Sequence, residues 1–163
     1  MTPQDFLREI LSPGLARCQV ATSIPVSVEA ARLLLASALQ EGNPLSRYQI
    51  LRGGHAGAAR GWWQFERLGG VRGVMTHPAT SELARRLCDA CHVRFTDSAV
   101  WRALEGHDAL ASGFARLLLW SDPRPLPTSE ADGWEYYLRN WRPGKPRPAD
   151  WSGNWAAAVA VVG

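Results

Sequence analysis

A chain of 163 residues with 46% hydrophobic content can bury one sizeable core but not two, so a single domain spanning residues 1–163 is expected. No apolar run approaches the roughly 20 residues a membrane helix needs, and Asp5 and Glu9 stand where a secretory signal would be basic and then apolar. A net charge of +3, with Lys145 the one lysine among 18 basic residues, is too small to indicate nucleic acid.

In chain order, Thr2–Pro3 reads as a capped start for a short helix to about Leu11, stopped by Ser12, Pro13 and Gly14. Ser27 caps a second helix, VEAARLLLASALQ, ended by Gly42, Asn43 and Pro44. Residues 45–60 are glycine-rich, with SRYQIL the one plausible strand, so a loop or small β-hairpin is predicted there. Helices are expected over about 81–93, 97–104 and 107–120, before DPRPLP breaks the chain. Ser129 caps EADGWEYYLRNW, RPGKPRP runs extended, and SGNWAAAVAVV closes the chain as a terminal helix. The expected fold is mainly α, a single helical domain whose glycine-rich segment forms one wall of a cleft.

Three cysteines, Cys18, Cys88 and Cys91, are an odd number without an export signal, which argues against a disulfide framework. C-x-x-C-H at Cys88, Cys91 and His92 has the spacing of a c-type haem site, and zinc held with Cys18 is a second possibility. Leu83, Leu87, Cys88 and Cys91 instead share one helical face, which favours core thiols and no metal or cofactor. His55 reads as a loop residue, and His77 and His107 as turn and cap residues.

The chemistry concentrates after the second helix. At about 100° per residue, Glu29, Arg32 and Gln40 define its polar sector, while Glu41 falls in phase with Leu34 and Ala38 on the side facing the core. A carboxyl emerging from an apolar face at a helix C-terminus has its charged form disfavoured, which makes it competent as a general acid. A solvent-facing glutamate at a frayed helix end is the plainer reading. Gly53, Gly54, Gly57 and Gly61 let the following chain approach a ligand. Trp62 and Trp63, with Phe65, offer flat faces suited to sugar rings, and Gln64 adds an orienting amide. Adjacent Trp62 and Trp63 point in different directions, so one is expected inward and one towards the cleft.

A helix ending in Glu, a polar loop and then A-x-x-G-x-x-Q resembles the lysozyme-like superfamily, in particular lytic transglycosylases. The residues carrying the resemblance are Glu41, then Ala58, Ala59, Arg60, Gly61, Trp62, Trp63 and Gln64. Gly42 stands where those enzymes carry Ser, and Ala58 where they carry the first Gly of their motif. The resemblance implies an α+β lysozyme-like fold and cleavage of the β-1,4 bond between N-acetylmuramic acid and N-acetylglucosamine. Glu41 would protonate the glycosidic oxygen. Glu66 is the nearest candidate second acid, with an ion pair to Arg67 or another arginine as its alternative, and Asp97 lies further off. Tyr48, Gly61, Trp62, Trp63 and Gln64 are the candidate substrate-binding residues. Tyr136, Tyr137 and Trp141 form one apolar stripe, expected to fix a helix rather than touch glycan.

The expected partners are peptidoglycan strands and virion or tail proteins, with no nucleic acid and no membrane insertion. Resemblance to small bacteriophage proteins implies an endolysin or virion-associated lysin, made in the host cytoplasm and acting on the wall. The alternative is a catalytically inactive lysozyme-like component of a virion or tail, which the departures at Gly42 and Ala58 suit. A plain carbohydrate-binding module has less use for a carboxyl on a buried face.

Overall fold

The chain does not break at Ser12, Pro13 and Gly14. In the computed structural model, which describes residues 1–42 and 47–163, α1 (Pro3–Phe6) passes through a π-helical turn at Leu7–Leu11 into α2 (Ser12–Thr22). Thr2 starts it with a reciprocal box: its hydroxyl accepts from the Asp5 N–H, and the Asp5 carboxylate accepts from the Thr2 N–H. Pro13 is tolerated because the wider turn before it sends the Ser12 N–H to the Leu7 carbonyl, so the hydrogen-bond ladder is already shifted at the point where the ring lacks an N–H. Gly14 serves close packing. A Cβ there would lie 2.3 Å from the Ser112 Cβ, so its absence lets α2 approach α7 (Asp108–Ser121).

Helix α3 (Val28–Glu41) starts at Ser27, whose Oγ accepts from the Ala30 N–H at 3.1 Å. Leu33, Leu34, Leu35 and Ala38 are fully buried, each leucine contributing about 1.5–3 kcal/mol. The polar sector drawn from the helix wheel needs one correction: Gln40 is only 2% exposed. Helix α9 (Pro148–Val162) lies along α3 and covers that side. Gln40 Nε2 donates to the Arg147 carbonyl at 2.9 Å, and its Oε1 accepts from Asn154 Nδ2 at 2.8 Å. A buried amide is stable there because both ends are satisfied. Helix α9 begins four residues before the predicted 152, with Pro148 suited to its first turn.

The remaining helices are α4 (Arg72–Thr76), which follows a second π-helical turn, α5 (Ser81–Ala90), α6 (Asp97–Ala103) and α8 (Glu130–Trp141). Helix α5 stops short of the predicted Val93, with Cys91 at its C-cap and His92 left-handed at φ +55°. His107 caps α7 by accepting the Leu110 N–H on Nδ1, and His77 Nδ1 takes the Ala79 N–H in a turn.

The sequence reading of one strand grows into a three-stranded antiparallel sheet, β1 (Tyr48–Ile50), β2 (Ala56–Arg60) and β3 (Phe65–Glu66), in that order. Tyr48 pairs with Arg60 and Ala59 with Glu66. Buried apolar residues from Phe6 to Ala158 form one connected cluster. The fold is therefore mainly helical with a small antiparallel sheet. Among the described residues no helix is long and apolar enough to cross a membrane.

Candidate active site

Glu41 is the last residue of α3, half-buried, where the helix emerges from the core. Its Oε1 accepts a hydrogen bond from the Tyr137 hydroxyl at 2.6 Å. Burial pushes the carboxyl above its usual range and outweighs two opposing effects, the Tyr137 hydrogen bond and the charge of Arg147. Tyr137 is raised as well, by burial and then by Glu41, so it stays a phenol and remains the donor. Glu41 lines a cleft of ≈ 840 Å³ whose other walls include Gln64, Glu66, Tyr137 and Trp141.

The sheet wall is built by a tight turn. Gly61 at φ +75° opens it, and the Gln64 N–H returns to the Gly61 carbonyl at 3.0 Å. A Cβ at Gly61 would lie 2.9 Å from the Leu104 carbonyl oxygen, so this position requires glycine twice over. Gly61 thus shapes the turn and does not line the cleft.

The predicted aromatic wall of Trp62 and Trp63 is overturned, because both indoles turn inward, at 5% and 2% exposure. Trp62 Nε1 donates to Asp108 at 2.9 Å, Arg47 lies 4.4 Å over its ring, and Phe6 meets it edge-on. Trp63 Nε1 donates to the Leu34 carbonyl of α3 at 2.8 Å. Adjacent side chains diverge as expected, but core lies on both sides of this turn. The consequence is positional: Trp63 ties the turn to the helix that carries Glu41, which fixes Gln64 relative to the acid. Gln64 itself is left-handed at φ +52°, with Nε2 on the Gly61 carbonyl at 2.9 Å, and faces the cleft. A non-glycine residue in that region stores on the order of 1–3 kcal/mol of strain.

Glu66 is exposed on β3, lines the cleft and makes no ion pair among the described residues. Arg67 turns to Asp97 at 3.9 Å, and Arg72 takes the other Asp97 oxygen at 3.2 Å. Asp97 is thereby held outside the cleft lining. Tyr48 lies on β1 opposite Arg60; its predicted sugar contact rests on a side chain that the structure does not describe.

The third wall was not foreseen. Tyr137 and Trp141 stand one turn apart on α8, their rings stacked at 5.8 Å and 23°. The stack continues from Tyr137 to half-buried Trp134 at 5.4 Å and buried Trp151 at 5.2 Å. Half-buried Trp141 donates from Nε1 to the Trp63 carbonyl at 3.2 Å and presents the main aromatic surface of the cleft. Tyr136, in contrast, is structural, its hydroxyl on the Leu119 carbonyl at 2.9 Å. The sequence reading sets Tyr136, Tyr137 and Trp141 on one stripe that fixes a helix, which holds for Tyr136 alone; Tyr137 and Trp141 line the cleft as well, because spacing does not say what a stripe meets.

Cys18, Cys88 and Cys91 are buried and unbridged. Burial, with Cys91 and Asp89 nearby, pushes the Cys88 thiol up to about 12. Comparison with protein-family models, curated proteins and solved structures finds no match to this chain.

Proposed function

We propose that the chain is one lysozyme-like domain that cleaves the β-1,4 bond between N-acetylmuramic acid and N-acetylglucosamine, as a bacteriophage muralytic enzyme. The observation that carries the reading is Glu41: a carboxyl whose hold on its proton is strengthened by burial at the end of an apolar helix face, steadied by Tyr137 at 2.6 Å and open to a cleft walled by a small sheet. Glu41 protonates the glycosidic oxygen as the bond to the anomeric carbon breaks. The resulting carboxylate then takes a proton from the nucleophile. If the muramoyl 6-hydroxyl attacks, one carboxyl suffices and a 1,6-anhydro end forms. If water attacks, Glu66 is the second carboxylate that supports the developing cation or orients the water. Gln64 and Trp141 hold the sugar, by amide and by ring face.

A second reading, a lysozyme-like virion or tail component without turnover, is favoured by the same hydrogen bond, since a purely structural carboxyl would also be held by Tyr137. Digestion of purified peptidoglycan, followed by mass spectrometry of the soluble fragments, separates them. Released muropeptides with 1,6-anhydro or new reducing ends support cleavage and name the reaction. No release across a broad pH range sinks the enzymatic reading and leaves the scaffold.

A further inference from the structure

We infer that residues 142–147 form a cationic strap that recognises the carboxylates of an acidic glycan, an inference that rests on the glycan-cleft reading and deepens it. Helix α8 ends at Trp141, and Arg142 follows at φ +48°, ψ 54°. Helices commonly reverse in this conformation, but the residue that adopts it cheaply is glycine. An arginine kept there at a cost in backbone strain suggests that its side chain is used.

The reversed chain then runs along the cleft, which Arg142, Gly144, Lys145 and Arg147 all line. Its far end is anchored beside the acid. Arg147 donates through Nη2 to the Gln40 carbonyl and pairs with Asp150 at 3.5 Å, while its own carbonyl accepts from Gln40. Its near end is not neutralised. Among the described residues Arg142 reaches only the Arg139 carbonyl, at 3.4 Å, and neither Arg142 nor Lys145 meets a carboxylate. Arg139, also in the lining, is already committed to Asp122 at 2.8 Å.

Two exposed, uncommitted cations on the wall of a glycan cleft gain nothing from a neutral sugar polymer. They match a strand that carries carboxylates at regular intervals. Peptidoglycan offers two sources of that one chemistry: the lactyl carboxylate of muramic acid where the stem peptide has been removed, and the stem carboxylates where it has not. Both cations are solvent-exposed, so their contribution is moderate and screened by salt.

The test measures binding, which holds whether or not the protein turns substrate over. Wild type is compared with Arg142→Gly and with Arg142→Gly combined with Lys145→Ala. Glycine relieves the left-handed strain, so a binding loss in that variant is not a folding loss, and its melting temperature should hold or rise. The ligands are stem-bearing peptidoglycan, glycan strands stripped of stems by an amidase, and neutral chitohexaose, each at low and high salt. The double variant is expected to lose roughly two- to thirty-fold in affinity for the acidic polymers at low salt, less at high salt, and nothing for chitohexaose. A loss on stripped strands assigns the strap to the lactyl group, and a loss confined to stem-bearing material assigns it to the peptide. Equal affinity of wild type and variants for the acidic polymers, or an equal loss on chitohexaose, overturns the strap while leaving the cleft. Wild type that binds none of the three overturns the glycan reading and the strap with it.

Discussion

Replacing Tyr137 by Phe removes one hydroxyl and leaves the ring in its stack against Trp134, Trp141 and Trp151. What is lost is the 2.6 Å hydrogen bond to Glu41. A bond to an ionised partner is worth about 1.5–3 kcal/mol, less what is recovered by not burying a phenol, so a net loss of about 1–2 kcal/mol is expected where Glu41 is charged. For a chain of this size that lowers Tm by roughly 2–8 °C. The same bond holds the Glu41 proton affinity down, whereas burial holds it up. Without the hydroxyl the carboxyl keeps its proton to higher pH, so the alkaline fall of activity moves to higher pH. The stability loss, in turn, shrinks as pH falls and Glu41 becomes protonated in both proteins. Paired pH profiles of peptidoglycan clearing and of Tm read both effects. A Phe variant with unchanged Tm and an unmoved alkaline limb would refute the role given to Tyr137, and a limb moved to lower pH would refute the sign.

Trp62→Ala and Trp63→Ala should each cost about 3–5 kcal/mol because both indoles are core; glycan affinity of the folded fraction should be unchanged in the first and weakened in the second, where the tie of the Gln64 turn to α3 is lost. Trp141→Ala should weaken glycan binding with a smaller fall in Tm; thermal melts beside glycan titrations check all three. Cys88 and Cys91 should resist alkylation at neutral pH in the native protein and react promptly in denaturant, since burial keeps both thiols protonated. Changing both to Ala should lower stability by about 1–3 kcal/mol, and rapid labelling of the native protein would contradict the burial.

Elements with strong local signals were legible in the sequence: α3 between Ser27 and Gly42, α8 after Ser129, α7 after His107. Local rules failed where a distant partner decided the outcome. Pro13 and Gly14 read as a stop, yet a π-helical turn accommodates the proline and Ser112 across the interface requires the glycine. Strand β2, AGAAR, has almost no β-propensity and exists because β1 and β3 pair with it. The phase of Glu41 on α3 was readable from the wheel, since Ala38 and Leu34, one and two turns back, are core. Gln40 was misplaced because α9, far along the chain, covers what a lone helix would leave wet. Likewise WWQ showed its aromatic content but not its direction, and WEYYLRNW showed its stripe but not that Tyr137 would meet Glu41.

The most direct test of the catalytic assignment is Glu41→Gln, with Tm and peptidoglycan turnover measured on the same preparation. Glutamine keeps the shape and can still accept from Tyr137, but it has no proton to transfer. A carboxyl whose folded pKa is raised above the ordinary 4.5 contributes stability that is complete below that value and is lost as pH rises through the folded one. The Gln variant does not suffer that loss, so at neutral pH its Tm should equal or exceed the wild-type value, and the advantage should fade in acid. Turnover should fall by at least the roughly 10²- to 10⁴-fold that acid–base catalysis supplies. Turnover retained in a variant of lowered Tm would contradict the account and make Glu41 a structural residue.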